Sequence, residues 1–418
     1  MARNKVKKYN IYTLSSLSGA LWLFLCINPF ILWIMPQSPW YILAFGLVFL
    51  STIQFIKSED LYIDHFRLLL VLLLFLFSSY LLLVDFTPER IFQFSPFLML
   101  AFWNPRATYG VYCYFRFIIL FFSIFAIINS AFSFIGITTP YIALPPRSAA
   151  HILSDTTLRL HLFTVTNYNL TAETNETLIR ACGPLQEGGH FGIILGIIIL
   201  IDNFISQKIN KIILTTGILT FSPAFLILLI STLLYNFYTS ENKLRKLTFV
   251  TIGFFVVLGI FFALPEKTKD KVAYSFYERN FETVLQTAGE QKSLNSALSE
   301  RTTLEGEYLY SQFQKADITT RMFGFGAIGN EIILSDYRCT IARLGYVGYL
   351  LLLILGTVCI FSKWKRPMIM MAIPFLLVLV HRSWMLDSTY IHYLCFCGIS
   401  VFAYFKTKHN YYESWRVR

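Results

Sequence analysis

The chain has 418 residues, of which 56% are hydrophobic and only 14% are charged, whereas a soluble domain carries roughly a quarter charged residues. Its mean hydropathy is +0.57, and long apolar runs recur from one end to the other, which excludes an ordinary cytosolic enzyme and favours a polytopic membrane protein. The net charge of +11 comes from short basic clusters between apolar runs, so we expect no nucleic-acid partner.

The first apolar run, at 11–35, follows a basic N-terminus that contains Arg3, Lys5, Lys7 and Lys8. This run is longer than the roughly 7–15 residues of the apolar part of a signal peptide, and it lacks a convincing small-residue cleavage site. We therefore predict a retained first helix. The basic residues before it place the N-terminus in the cytoplasm.

Apolar runs that could cross a bilayer occur along the whole chain, since a crossing helix needs roughly 20 residues. They lie at 12–35, 40–56, 66–84, 90–103, 110–135, 189–205, 211–238, 246–264, 341–361, 367–381 and 388–405. The predicted regions are N-terminal transmembrane helices at 1–135, a first outer loop at 136–188, central transmembrane helices at 189–264, a second outer loop at 265–340, C-terminal transmembrane helices at 341–405 and a cytoplasmic tail at 406–418. We expect the water-facing chemistry in the two outer loops.

The run at 211–238 contains Thr220-Phe-Ser-Pro223, and the residue before a proline is disfavoured in a helix. One crossing here would put the later basic clusters outside, whereas two short helices that meet near Ser222 keep those clusters in the cytoplasm. The predicted fold is therefore an all-α, polytopic integral membrane protein. It has about twelve transmembrane helices, two large outer loops and both termini in the cytoplasm.

The seven cysteines form no CxxC pair, and most lie inside apolar runs, so we predict no metal site. A disulfide between Cys182 and Cys339 is an open alternative, because both lie near outer loops. The predicted cytoplasmic side has only short basic links and no Walker loop, GxGxxG, HExxH or GxSxG pattern, and we predict no cofactor.

Arg180, Glu187 and His190 occur together where the first outer loop enters the next helix. Arginine offers a planar fork of donors for phosphate oxygens, and Glu187 would accept a proton if its pKa were raised at the membrane edge. Three glycines are expected to leave the backbone open to a ligand: Gly183, Gly188 and Gly189. The alternative interpretation is an interfacial loop with snorkelling ions and a glycine-rich helix entry.

Further charged groups lie on the same predicted side. In the second outer loop, Arg301 is four residues before Glu305, a spacing that a surface ion pair would also explain. Asp336, Arg338 and Arg343 lie at the entry of the helix run at 341–361, where unpaired charges are costly.

Arg382 lies in the short link between the last two helices, two residues before Trp384. It faces the same predicted side as the other groups, although a simple interfacial anchor is an alternative. Gly345 and Gly348, at the start of the run at 341–361, favour close helix packing as an alternative to a ligand site.

The order of these motifs resembles one family. A large outer loop ends in R-x-x-G-x-x-x-E, a helix pair surrounds T-F-S, and a second loop with an Arg-led helix is followed by G-x-G and an acid before x-G-x-x-G. This pattern is similar to the Wzy-type O-antigen or capsule repeat-unit polymerases and the related O-antigen ligases, mainly over 175–350. The family's acid is often followed by proline, here Gly188, and its Arg after the T-x-S segment is replaced by Pro223.

The resemblance implies a metal-independent, inverting glycosyltransferase in the bacterial inner membrane, with its two large loops in the periplasm. Its substrates would be undecaprenyl-diphosphate-linked oligosaccharides, its environment membrane lipid, and its candidate partners a chain-length regulator and a flippase. The implied catalytic residues are Arg180, Glu187, Arg301 and Asp336. A ligase that transfers glycan to lipid A core and a flippase for lipid-linked oligosaccharide are the alternatives.

The resemblance implies separate roles for the arginines and for the acidic residues. Arginines stabilise the charge that builds on a departing diphosphate, and the base is Glu187 or Asp336, with His190 next. We expect the substrate-binding residues to be His190, Arg338, Arg343 and Arg382.

Overall fold

The computed structural model shows a mostly helical protein. It describes residues 13–34, 37–57, 65–84, 95–135, 137, 139–145, 156–169, 180–206, 209–239, 266, 269, 304–326, 337–358, 365–382, 385–386 and 390–396. The helices are α1 Leu14–Cys26, α2 Ile31–Ile34, α3 Gln37–Lys57, α4 His65–Val84, α5 Ser95–Phe102, α6 Pro105–Phe134, α7 Gly188–Ser206, α8 Lys211–Leu219, α9 Pro223–Thr239, α10 Leu304–Lys315, α11 Ile318–Phe323, α12 Tyr337–Thr357 and α13 Lys365–His381.

Within the described residues, five helices are long and apolar enough to cross a membrane. They are Pro39–Lys57, Arg67–Val84, Pro105–Phe134, Gly188–Ile205 and Tyr337–Thr357. Shorter apolar helices occur at Leu14–Cys26, Pro223–Thr239 and Ile369–Val380. A helical membrane protein is thus confirmed, whereas about twelve crossings and the two-loop layout stay predictions. The predicted helix at 246–264 lies outside the described residues.

Helix α7 is the centre of the fold. In α7, 83% of the apolar window is buried, against 17% for Pro39–Lys57, and every residue from Ile193 to Ile201 is buried. A helix that is apolar on all sides is buried by its neighbours, and α8, α9 and α13 pack against it. The residues at either end of α7 are therefore attached to the most buried of the five membrane-length helices.

The predicted break in the run at 211–238 is confirmed. Helix α8 ends at Leu219 and α9 begins at Pro223, where proline is suited to a first helical turn because it lacks an N–H. Between them Phe221 has φ +47°, in the left-handed region that side chains other than glycine rarely adopt. The sides of the membrane that the two helices face stay a prediction.

The segment predicted as the first outer loop contains a small antiparallel sheet, which the all-α prediction does not include. Its strands are β1 Ile142–Leu144, β2 Thr156–His161 and β3 Thr164–Asn169, in the order β1-β2-β3. Leu158 and Val165 are fully buried, so half-buried strands of β-branched and apolar residues outweigh the loop character of this stretch.

The turn of this sheet packs against α6. Leu162 and Phe163 join β2 to β3 with positive φ angles, as in a two-residue hairpin turn. The Phe163 ring lies 5.8 Å from Phe121 and 5.1 Å from Phe125 between ring centroids. The sheet therefore rests on the helix bundle beside the segment that enters α7.

Candidate functional site

The segment from Arg180 to Glu187 packs onto the break between α8 and α9. Arg180 donates from Nε to the carbonyl of Thr220 (2.8 Å) and from Nη2 to that of Phe221 (3.2 Å), while the Ala181 N–H donates to Leu219 O (3.0 Å). The last carbonyls of a helix lack partners within it, and a cation there also interacts favourably with the helix dipole. Arg180 thus joins the segment before α7 to the end of α8.

The glycines of this segment allow close packing within the protein. A Cβ on Gly188 would lie 2.9 Å from Thr220 O, and one on Gly189 would lie 2.8 Å from Arg382 Nη2. Gly183 has φ +56°, and the ring of Phe191 lies where its Cβ would be. The expectation that these glycines leave the backbone open to a ligand is therefore wrong, because protein atoms occupy that space.

Glu187 forms an ion pair with Arg382, the residue that follows α13. Glu187 Oε2 lies 2.5 Å from Arg382 Nη1. Burial raises the pKa of Glu187. The charge of Arg382, its hydrogen bond and the charge of Arg180 lower the pKa by more than burial raises it, so the pKa lies below its usual value. Arg382 therefore keeps this carboxylate ionised, and the predicted upward shift of its pKa is wrong.

Arg382 is held at its backbone and retains a donor in its side chain. Its N–H donates to Val378 O (2.8 Å), and its carbonyl accepts from the Met385 N–H (2.9 Å). Its Nε is buried and has no hydrogen-bond partner among the described residues. An arginine in this state has a donor left for an anionic ligand.

His190 lies in the first turn of α7, one turn after Glu187. It is only 6% exposed, and its Nε2 shares a hydrogen bond with the hydroxyl of Tyr390. The structure thus puts His190 near the ion pair but against a buried tyrosine. Its contact with substrate stays a prediction.

Arg338 and Arg343 belong to α12, beside a close crossing of two chain segments. Helix α12 is kinked at Gly345, which has φ +67°, and a Cβ there would lie 2.3 Å from Met322 O. The N–H groups of Phe325 and Gly326 donate to Ala342 O (2.9 Å) and Arg343 O (3.1 Å).

These hydrogen bonds satisfy carbonyls that the kink of α12 releases from its own ladder. The glycine motif at 324–326 therefore serves backbone packing against α12. Arg343 is 5% exposed and Arg338 is partly exposed in the first turn.

Two of the predicted catalytic residues, Arg301 and Asp336, lie outside the described residues, and their roles stay predictions. Within the described ranges, no group of three His, Cys, Asp or Glu side chains could hold a metal ion. Cys182 and Cys339 are thiols in the structure, so the alternative of a disulfide between them is wrong.

The sequence analysis missed two features of α7. It placed Glu187 and Arg382 on the same side but did not pair them, because their contact joins residues far apart in the chain. It also passed over Arg116 and Asp202, which pair at the other end of α7 (2.7 Å between Nε and Oδ2); charges within apolar runs were the available signal. No protein-family model, curated protein or solved structure matches the chain.

Proposed function

We propose that this protein is a repeat-unit polymerase for O-antigen, capsule or exopolysaccharide. It joins undecaprenyl-diphosphate-linked oligosaccharides at the periplasmic face of the bacterial inner membrane, by transferring the growing lipid-linked glycan onto the next repeat. The order of its sequence motifs supports the proposal. The observation that carries it is the ion pair of Glu187 with Arg382 at one end of a buried, membrane-length helix.

The reaction needs a stabilised leaving group and a base. The bond between the anomeric carbon and the diphosphate oxygen breaks, and the diphosphate leaves with the electron pair. An acceptor hydroxyl attacks the opposite face of the sugar, forms the glycosidic bond and loses its proton to a carboxylate. Fixed guanidinium groups stabilise the charge that develops on the diphosphate.

Arg382 is the best-placed phosphate ligand among the described residues. Its Nε is buried and has no hydrogen-bond partner among the described residues, and the partner of its Nη1 is a carboxylate that a diphosphate, with more negative charge, can displace. The released Glu187 would lose the charge interaction that now lowers its pKa. Glu187 then becomes an effective base only when a donor is bound, which limits proton transfer without substrate.

Arg180 supports this site from the side. Its two hydrogen bonds attach the segment that leads to Glu187 to the end of α8. Arg180 therefore positions Glu187 in addition to adding positive charge. Arg301 and Asp336 keep the roles that the family resemblance implies, as a second phosphate ligand and an alternative base.

Deletion of the gene in its bacterial host tests the proposal against the alternatives. Loss of a polymerase leaves surface lipopolysaccharide capped with a single repeat, as seen on a glycan gel. Loss of a ligase leaves bare core with polymer retained on the lipid carrier, and loss of a flippase leaves single repeats facing the cytoplasm. An unchanged glycan ladder would contradict the polymerase and both alternatives.

A further inference from the structure

A second site lies at the end of α7 opposite to Glu187. A cleft of about 650 Å³ is lined by residues of α6, by Asp202 and Ile205 of α7, and by Asn210 before α8. Asp202 lies about 22 Å from Glu187 along the helix axis, at 1.5 Å per residue. The proposed glycosyl transfer uses no residue of this cleft. The cleft nevertheless contains an ion pair between two membrane-length helices, α6 and α7.

Asp202 fixes the orientation of Arg116 in the cleft. Its Oδ2 accepts a hydrogen bond from Arg116 Nε (2.7 Å), and its Oδ1 accepts one from the hydroxyl of Tyr112 (2.8 Å). The Asp202 side chain is 9% exposed, whereas that of Arg116 is 29% exposed. The carboxylate is thus saturated, while the guanidinium remains accessible.

The terminal nitrogens of Arg116 have donors to offer. Within the described part of the chain, Arg116 makes its hydrogen bond through Nε, which leaves the N–H groups of both terminal nitrogens. Two parallel N–H groups match two oxygens of a phosphate. A held guanidinium also binds with less loss of side-chain entropy than a flexible lysine.

The rest of the cleft is suited to an acyl chain. Phe117 and Leu120 of α6 and Ile205 and Ile209 form apolar walls beside Arg116. Tyr109 also lines the cleft, and tyrosine is enriched at the level of lipid headgroups. Inorganic phosphate would contact the guanidinium alone, whereas a phospholipid would contact the guanidinium and the walls.

We propose that this cleft binds a membrane phospholipid, with Arg116 holding the phosphate and the apolar walls packing against an acyl chain. Asp202 acts as a positioning residue for Arg116. The alternative is that the ion pair only fastens α6 to α7. In that case the cleft would show no preference for a phosphate headgroup.

The test is lipid binding to the delipidated full-length protein in detergent, followed as a rise in melting temperature. Phosphatidylglycerol should give a saturable rise, whereas diacylglycerol with the same acyl chains and inorganic phosphate should not. An equal response to diacylglycerol would show an apolar groove only, and an equal response to inorganic phosphate would show a free-phosphate site. Either result overturns the proposal.

Variants locate the binding. The double variant Arg116→Gln with Asp202→Asn keeps a neutral pair, and it should bind phosphatidylglycerol about tenfold more weakly or worse, because charge-assisted hydrogen bonds are lost. Lys211→Gln removes a nearby exposed charge that does not line the cleft, and it should bind as the wild type does. Leu120→Trp leaves the ion pair intact and places a larger side chain in the space beside the apolar wall, so it should also weaken binding. Unchanged affinity in the double variant or in Leu120→Trp would overturn the proposal.

Discussion

Helix α7 has an acid at each end, and each acid is paired with an arginine from another part of the chain. Glu187 contacts Arg382 from the end of α13, and its side chain is 36% exposed. Asp202 contacts Arg116 from the middle of α6, is 9% exposed and also accepts from Tyr112. The carboxylate of the pair is therefore open at one end of the helix and enclosed at the other.

The difference lies in what surrounds each pair. Around Glu187 the neighbours are glycine backbone, a helix break and Arg382, and the Glu187 side chain is partly exposed, so a ligand can approach this carboxylate from solvent. Around Asp202 both carboxylate oxygens are held between two helices. An exchangeable pair suits a reacting site, whereas a saturated pair suits a fixed orientation.

The largest expected effect is on polymer formation at the open end. Arg382→Ala and Glu187→Gln should each reduce polymer formation about 10²–10³-fold, the range seen when a transition-state donor is removed. The measurement is the glycan ladder of a deletion strain complemented with each variant, at matched protein level. Glu266→Gln changes an exposed acid of the predicted second outer loop and serves as the control, which should restore a full ladder.

Arg382→Lys sharpens this prediction, because it keeps the charge but not the planar fork. It should retain partial activity if charge dominates and should resemble Arg382→Ala if bidentate binding to phosphate dominates. A full ladder from Arg382→Ala would contradict the proposed site at Glu187 and Arg382.

A smaller effect, on stability, should appear at the enclosed end. Arg116→Gln leaves a largely buried carboxylate with Tyr112 as its hydrogen-bond donor, and it should lower the free energy of unfolding by about 2–3 kcal/mol. Arg382→Gln exposes a carboxylate that water can reach, so its cost should be below about 1 kcal/mol. Chemical denaturation of the purified protein in detergent measures both values.

The double variant Arg116→Gln with Asp202→Asn should recover most of the lost stability, because no buried charge remains without its partner. Equal losses for Arg116→Gln and Arg382→Gln would break the distinction between the enclosed and the open pair.

Sequence patterns predicted the parts of this protein that depend on local chemistry. The break near Ser222 follows from one proline, and the membrane-length helices follow from the length of apolar runs. The pairing of Glu187 with Arg382 was not predictable in the same way, because it depends on how α7 and α13 pack. A single sequence contains no pattern that predicts which distant residues come into contact.

The glycines show why a motif can be found and yet misread. Gly188 and Gly189 were predicted to leave the backbone open to a ligand, whereas close packing was already an alternative at Gly345. The approaching groups are Thr220 O, Arg382 and Met322 O, all from the protein itself. A glycine indicates that something comes near, but the identity of that neighbour is a property of the tertiary structure.

The smallest predicted effect is the acid dependence of stability at the open end. The pKa of Glu187 lies below its ordinary value of 4.5 in the folded protein, so the folded state binds fewer protons than the unfolded state in acid. The ion pair therefore stabilises the protein fully above about pH 4.5, and this contribution is lost as the pH falls through the lower, folded-state pKa.

The measurement compares the melting temperatures of the wild type and Glu187→Gln between neutral pH and about pH 3. The difference between the two proteins should be constant above about pH 4.5 and should shrink below it, because the variant has no proton to gain at this position. Glu266→Gln again serves as the control acid. A difference that stays constant down to about pH 3 would mean that Arg382 does not hold the carboxylate in its ionised form. The proposed exchange of this carboxylate for a diphosphate at Arg382 would then have no ion pair to act on, and the contrast with the paired Asp202 at the other end of the helix would be lost.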